Sequence, residues 1–472
     1  MSRNKDLAKN TVILTFGKIC TQFVSFLLLP LYTAILEPEV YGIADLFNSY
    51  IYLIIPLVSL MLDQGLFRFL LECREDEKRK KSLLSTVLLI NIVEIIIYVI
   101  IYILIERFIG SKYKIFLLID VIINILLNTF LQFSRGIGKN GIYAISSFLS
   151  ASLTVVSNVV TLVFLRMGAW GLFISTVVGR LIALIVTMIL LKTWKYFDIK
   201  AYSKEEARRL LKYSLPFIPN QLSWWVVGVS DRTIISWFLN VAANGLYSVA
   251  NKFSSIYITF YNIFNLSWTE SVSLHINDDD SEEFLEATIN TMFKLFYAVC
   301  IGIISYMPLL FPILINKQYS QAYQQIPILM LAVLFQVIVG LYSVIYVALK
   351  KSAEIAKTSF WAAVINIGVD VALIQFIGLY AASISTLVAY ATMTIYRYFH
   401  IKRYVDVPLH DKYIYVIVTA IVCVSYYYNH LIMNVIIALS VTVFAIVSNK
   451  EFVQSIISIA LNSIKKLSKL NN

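Results

Sequence analysis

Asp231 and Arg232 stand side by side inside an apolar run, PFIPNQLSWWVVGVSDRTIISWFLN, where an ionised side chain is costly and therefore informative. Consecutive residues on a helix point about 100° apart, so these two do not simply neutralise each other. A planar, permanently charged guanidinium can grip a phosphate through paired, directed bonds, which makes Arg232 the first candidate for holding an anionic group. Asp231 can hold a facing cation or take part in ion coupling. A structural salt bridge to a neighbouring helix is the competing reading of Arg232. Other charges interrupt similar runs: Lys18, Asp63, Arg68, Glu94, Asp120, Arg180, Lys252, Glu270 and Asp370. Lys18, Arg68 and Lys252 lie close enough to the ends of their runs to reach headgroups instead. Arg180 and Glu94 are expected to pair and tie helices together, with Arg135 and Arg180 as reserve candidates for cargo contact.

Chemistry of other kinds finds little support. Cys20, Cys73, Cys300 and Cys423 are isolated, and His275, His400, His410 and His430 fall into no ligand spacing, so no disulfide, metal or cofactor is expected. Asp278-Asp-Asp280 reads as a solvated acidic turn opening a helix at Ser281-Glu-Glu, not as a metal or sugar-nucleotide site. No paired carboxylates, nucleophile elbow or Gly-rich phosphate loop stands at a membrane face, and the outer connections are short, which argues against an enzyme.

The elements that must position these charges are membrane spans. Of 472 residues 59% are hydrophobic and 14% charged, with a mean hydropathy of +0.77, too apolar for a soluble domain. Runs of about 20 apolar residues suit helices crossing the hydrocarbon core, whereas a β-barrel would show alternating strands of about ten. Spans are expected at 11–36, 43–71, 83–105, 115–135, 142–165, 170–191, 216–240, 246–274, 288–315, 327–349, 359–378, 379–400, 413–429 and 431–448, fourteen in all. The net charge of +11 sits mostly between the runs, so it sets topology and gives no reason to expect nucleic acid. Its bias to one side places both termini in the cytoplasm, and the first run is an uncleaved span. The connection between halves opens with a Ser203-x-x-Glu206 capping box on an amphipathic helix, and the tail from Glu451 to Leu470 is a second helix suited to an anionic membrane surface.

The chain also begins twice. Leu36-x5-Gly42-x5-Asn48 recurs as Leu239-x5-Gly245-x5-Asn251, 203 residues on, and Gly168-x5-Ile-Ser-Thr-x-Val recurs from Gly378, 210 residues on, in the same order. The expected organisation is an N-terminal lobe of six spans (1–191), an amphipathic linker (192–215), a second six-span lobe (216–403), two further spans (404–448) and a tail (449–472). Six spans per copy give both copies the same orientation, related by an axis along the membrane normal with a cavity between them. Pro30, Pro56, Pro308 and Pro312 would bend spans.

SFLLLPLYTAILEPEVYG (25–42), Asp231-Arg-x-Ile-Ile and Gly245-Leu-Tyr-x-x-Ala-Asn-Lys252 together resemble the polysaccharide transporter family, the Wzx-type flippases of the multidrug/oligosaccharidyl-lipid/polysaccharide flippase superfamily. The resemblance covers nearly the whole chain. It implies transfer of an undecaprenyl-pyrophosphate-linked oligosaccharide from the inner to the outer leaflet of a bacterial plasma membrane by alternating access, for O-antigen, capsule or wall polymer. It also implies a cavity lined by spans one, two, seven and eight, where Arg232, Lys18, Arg68 and Lys252 would meet the cargo and Asp231, Asp63 and Glu270 would serve ion coupling or charge pairing. Membrane lipids, a polysaccharide polymerase and chain-length proteins are the implied partners. A cation-coupled drug or small-molecule exporter of the same superfamily is the alternative, kept open by those three carboxylates.

Overall fold

A computed structural model describes residues 26–276, 278–349, 351–404, 413–428, 430–450 and 454, without the side chains of Leu266, Ser267, Glu270, Leu274 and Ser352. The described residues are all-α: α1 (Leu29–Ile35), α2 (Pro38–Val58), α3 (Leu62–Leu70), α4 (Glu77–Ile105), α5 (Ile115–Gly136), α6 (Asn140–Val159), α7 (Ala169–Leu191), α8 (Lys204–Ser214), α9 (Phe217–Val229), α10 (Asp231–Phe238), α11 (Val241–His275), α12 (Ser281–Leu314), α13 (Ser320–Tyr323), α14 (Ile326–Ala348), α15 (Ser352–Ile377), α16 (Tyr380–Ile401), α17 (Tyr413–Tyr428) and α18 (Leu431–Ser448). Nine helical stretches among the described residues are long and apolar enough to cross a membrane. Their exposed apolar side chains, such as Ile92, Ile96, Ile100, Ile103 and Leu104 on α4, are what a helix facing lipid presents.

By internal contacts the chain divides into residues 1–248 and 249–472. In the first unit, Leu62, Leu66 and Leu70 of α3 pack with Leu83, Leu84 and Val87 of α4 and with Leu127 and Phe130 of α5. Helices α6 and α7 approach closely because Gly179 leaves room for the Thr154 backbone, 2.8 Å from where a Cβ would sit. In the second unit α14, α15 and α16 meet around Val339, Ala362, Ala389 and Met393, while α12 packs against α17 and α18.

Two expected spans are not single helices. Span 43–71 is broken between α2 and α3, where Leu60 (φ 46°) and Met61 (φ 56°) both take left-handed backbone. Such conformations cost non-glycine residues about 1–3 kcal/mol each. Pro56 lies just before this break, and Pro308 and Pro312 lie within α12. Span 216–240 is interrupted at Ser230, whose N–H bonds to the Trp225 carbonyl five residues back, a π-bulge immediately ahead of Asp231. The two repeated glycines are conformational twins: Gly168 has φ 56° and ψ −132°, Gly378 φ 57° and ψ −133°. Each immediately precedes, or lies one residue from, a helix that carries the repeated Ile-Ser-Thr.

The Ser203 side chain caps α8 by accepting the Glu206 N–H. Only half of the expected capping box forms, because the Glu206 carboxylate turns to Arg79 of α4 (3.0 Å) and the Ser203 N–H donates to Thr86. Beside it, Asp198 accepts from Lys81 and from the Lys200 N–H, which hold its carboxyl below its ordinary range. The expected tail helix, Glu451 to Leu470, lies outside the described residues except for Gln454.

Candidate functional site

Arg232 projects from the first turn of α10, directly after the π-bulge. Its Nε donates to Asp45 Oδ2 of α2 at 2.8 Å, and Nη1 donates to the Gly228 carbonyl at 3.1 Å. Both side chains of the pair are largely buried, at 13% and 19% exposure. The Ser248 hydroxyl of α11 donates to the same Asp45 oxygen. Asp231 points elsewhere, as the helical geometry requires, and accepts from the buried Tyr247 hydroxyl at 2.7 Å. Asn244 donates to the Gly42 carbonyl and Trp225 to the Ser49 carbonyl, so α9, α10 and the start of α11 are all tied to α2.

Two glycines set the spacing of this cluster. A Cβ on Gly42 would collide with the Val241 carbonyl oxygen and lie 2.8 Å from the Gly245 nitrogen; a Cβ on Gly245 would collide with the Pro38 carbonyl oxygen. Backbone cannot retreat as a side chain can, so α2 and α11 cross at this distance only because both positions lack a side chain. Asp45, the residue that unites the cluster, was not a sequence candidate. Its signal was available: it is an acidic residue in an apolar run, three residues after Gly42, just as Ser248 is three after Gly245.

A second polar layer runs through α3, α4, α5 and α7. Arg180 of α7 pairs with Asp120 of α5, not with Glu94 as expected, because α7 packs against α5 and α6. Glu94 is buried, and neither carboxylate oxygen has a hydrogen-bond partner among the described residues. Asn91 donates to Thr129 at 2.8 Å, and Asp63 accepts from Gln64 at 2.7 Å. Arg68 is half exposed and pairs with Glu72 one turn on. Arg135 bonds Gln132 and lies over the rings of Phe67 and Tyr143.

Lys252, on α11, falls in the second unit and is half-buried. Lys18 and the Glu270 side chain lie outside the description. Asp278 of the acidic turn pairs with His275, and α12 begins at Ser281. Within the second unit, buried Arg397 donates to Thr358, Ser343 and the Val339 carbonyl, a cation that the sequence analysis did not single out. Near it, α12, α14, α16 and α17 line an open cavity of about 670 Å³ with apolar and aromatic side chains including Phe293, Leu334, Tyr342, Phe399 and Tyr415.

Solved structures share the fold of this multi-span helical protein. The lipid II flippase MurJ, in an inward closed conformation, superposes with a TM-score of 0.66 at 17% identity over 95% of this chain and all of that one. An inward-facing multidrug resistance MATE family transporter of the MOP superfamily gives 0.65 at 14% identity, covering 81% of this chain and 95% of that one. A MOP superfamily transporter from Pyrococcus furiosus, described as having a binding pocket of reverse polarity, gives 0.54 at 16% identity, with 84% and 96% covered. No curated protein sequence matches the chain. The profile of the family "Polysaccharide biosynthesis protein" matches residues 7–269, more than half of the chain. The protein is a member of that family.

Proposed function

We propose that this protein is a flippase that carries an undecaprenyl-pyrophosphate-linked oligosaccharide from the inner to the outer leaflet of a bacterial plasma membrane. Family membership is the observation that carries this reading. The chemistry agrees with it. A hydrated glycan and a pyrophosphate cannot cross hydrocarbon unaided, and a cation between helices offsets the phosphate charge where water is scarce. Arg232 is the foremost contact: Asp45 holds its Nε, while its Nη2 makes no hydrogen bond among the described residues. Lys18, Arg68 and Lys252 are the further proposed cargo contacts, with Asp231, Asp63 and Glu270 for coupling. Of the reserve residues, Arg180 is already neutralised by Asp120 and Arg135 remains. The apolar cavity of the second unit suits isoprenyl units.

In this reading the termini are cytoplasmic, the lobes and linker follow the boundaries given above, and the protein works by alternating access next to a polymerase and chain-length proteins. The MATE-like fold favours a second reading, a cation-coupled exporter of small molecules. Cells lacking the protein decide between them. The flippase reading predicts that lipid-linked repeat units accumulate in the inner leaflet and that the wild-type gene clears them. Unchanged precursor levels together with altered drug sensitivity would overturn it in favour of the exporter.

A further inference from the structure

Glu94 lies at the centre of the apolar part of α4. At 1.5 Å per residue it is about 16 Å from either end of the apolar stretch Leu83–Ile105, the middle of a bilayer core. It is 7% exposed, and both carboxylate oxygens lack a hydrogen-bond donor among the described residues. An ionised carboxylate without donor or counter-ion at that depth is untenable, whereas the neutral acid is tolerated. Cations around α4 are held by other carboxylates: Arg180 by Asp120, Arg68 by Glu72, Lys80 by Glu77, and Arg79 and Lys81 by Glu206 and Asp198 at the end of α4 that adjoins α8. Arg135 of α5 is bonded to Gln132.

The charge that acts on Glu94 is that of another carboxylate. Asp63, in the first turn of α3, acts on it electrostatically. That is where the second span is broken, at the left-handed residues Leu60 and Met61. The neighbouring contacts are made by Asn91 with Thr129 and by the Tyr98 hydroxyl with the Leu117 carbonyl, so α4 and α5 are fixed in register around Glu94 without supplying it a donor.

The geometry points to Glu94 as a proton-binding site of the first unit, paired by repulsion with Asp63 and thereby linked to the break between α2 and α3. With Glu94 protonated the half-helix α3 packs as seen. Loss of that proton sets a second negative charge against Asp63 across the packed helices α3 and α4, and drives α3 away from α4 at the break or draws in water to solvate the charges. The proton is thus the coupling ion for the movement of this unit, an assignment that rests on the transporter reading above.

The test uses full-length protein in lipid nanodiscs, with no cargo required. At neutral pH its infrared spectrum should contain the carbonyl stretch of a protonated carboxyl that Glu94→Gln lacks. Asp63→Asn should retain the band but lose it at lower pH than wild type, because the repelling charge is gone. Identical wild-type and Glu94→Gln spectra from mildly acidic to alkaline pH would overturn the assignment. Loss of the band on adding sodium at neutral pH would do so too, because it would make the pair a metal-cation site. In cells, a protonophore should stop precursor clearance by wild type and leave the slow clearance by Glu94→Gln unaltered. Wild-type rates and full protonophore sensitivity in that variant would refute the coupling. If no lipid-linked precursor exists in these cells, the flippase reading fails while the infrared result still decides the proton site.

Discussion

Asp45 and Ser248 stand three residues after Gly42 and Gly245 in two copies of one sequence frame, and their side chains are hydrogen-bonded to each other. The glycines show the same reciprocity, since each leaves room for the carbonyl four residues before the other. Equivalent positions meet in this way only where a local twofold relates them, here between α2 and the start of α11. Arg232 binds Asp45 at this place.

Replacing either glycine should therefore damage the same contact. Gly42→Leu and Gly245→Leu are expected to destabilise by roughly 1–3 kcal/mol or more, since backbone opposes the added side chain on both sides. Gly302→Ala, in a helix with nothing within 4 Å of its new Cβ, should be neutral or stabilising by up to about 1 kcal/mol. Thermal unfolding of the purified variants in detergent checks both directions.

The Arg232–Asp45 pair separates anchoring from cargo contact. Removing one member of a buried pair typically costs about 3–5 kcal/mol, so Arg232→Ala and Asp45→Ala should both lower the melting temperature. The exchange Asp45→Arg with Arg232→Asp should recover part of that stability yet fail to clear lipid-linked precursor. Full clearance by the exchanged protein would make the pair purely structural.

Arg180 and Asp120 should behave differently, as a pair with no part in transport. Asp120→Asn alone leaves a guanidinium uncompensated and should destabilise by several kcal/mol, about the cost of breaking a buried pair. Asp120→Asn combined with Arg180→Met should be close to wild type in stability and in precursor clearance.

Gly168 and Gly378 share a backbone conformation open to glycine alone, so alanine should cost about 1–3 kcal/mol at each. The sites lie in different units, and the double variant should show the sum, measurable by denaturant or heat.

At the linker the sign of the pH effect is fixed by Asp198. Its carboxyl titrates below its ordinary range because Lys81 and the Lys200 N–H favour the charged form. The stabilisation it provides is complete above the unfolded aspartate pKa, about 4, and disappears as pH falls through the lower folded value. Wild type and Asp198→Asn should thus differ in melting temperature at neutral pH and converge in strong acid.

Much of the helical layout was legible because apolar runs of span length are rare outside membranes, and α4, α5, α7, α14 and α18 lie over the expected ranges. The breaks were not. Leu60, Met61 and Ser230 are ordinary helix residues by type, and only tertiary packing puts them at a left-handed pair and a π-bulge. At the site, charge within an apolar run pointed to Asp231 and Arg232 but could not supply partners, which depend on which helix faces which. Thus Arg180 pairs with Asp120 and not with Glu94, and the partner of Arg232 is Asp45, inside the repeated frame but on another helix.

The most direct test of the central claim is leaflet accessibility in liposomes. Purified protein is reconstituted with an undecaprenyl-pyrophosphate-linked oligosaccharide, and a glycosidase that cannot cross the bilayer is added outside. The account predicts that wild type exposes the internal pool to the enzyme and that Arg232→Ala leaves it protected. An internal pool that stays protected with wild type, in vesicles of the same protein that take up a small organic cation, would contradict it.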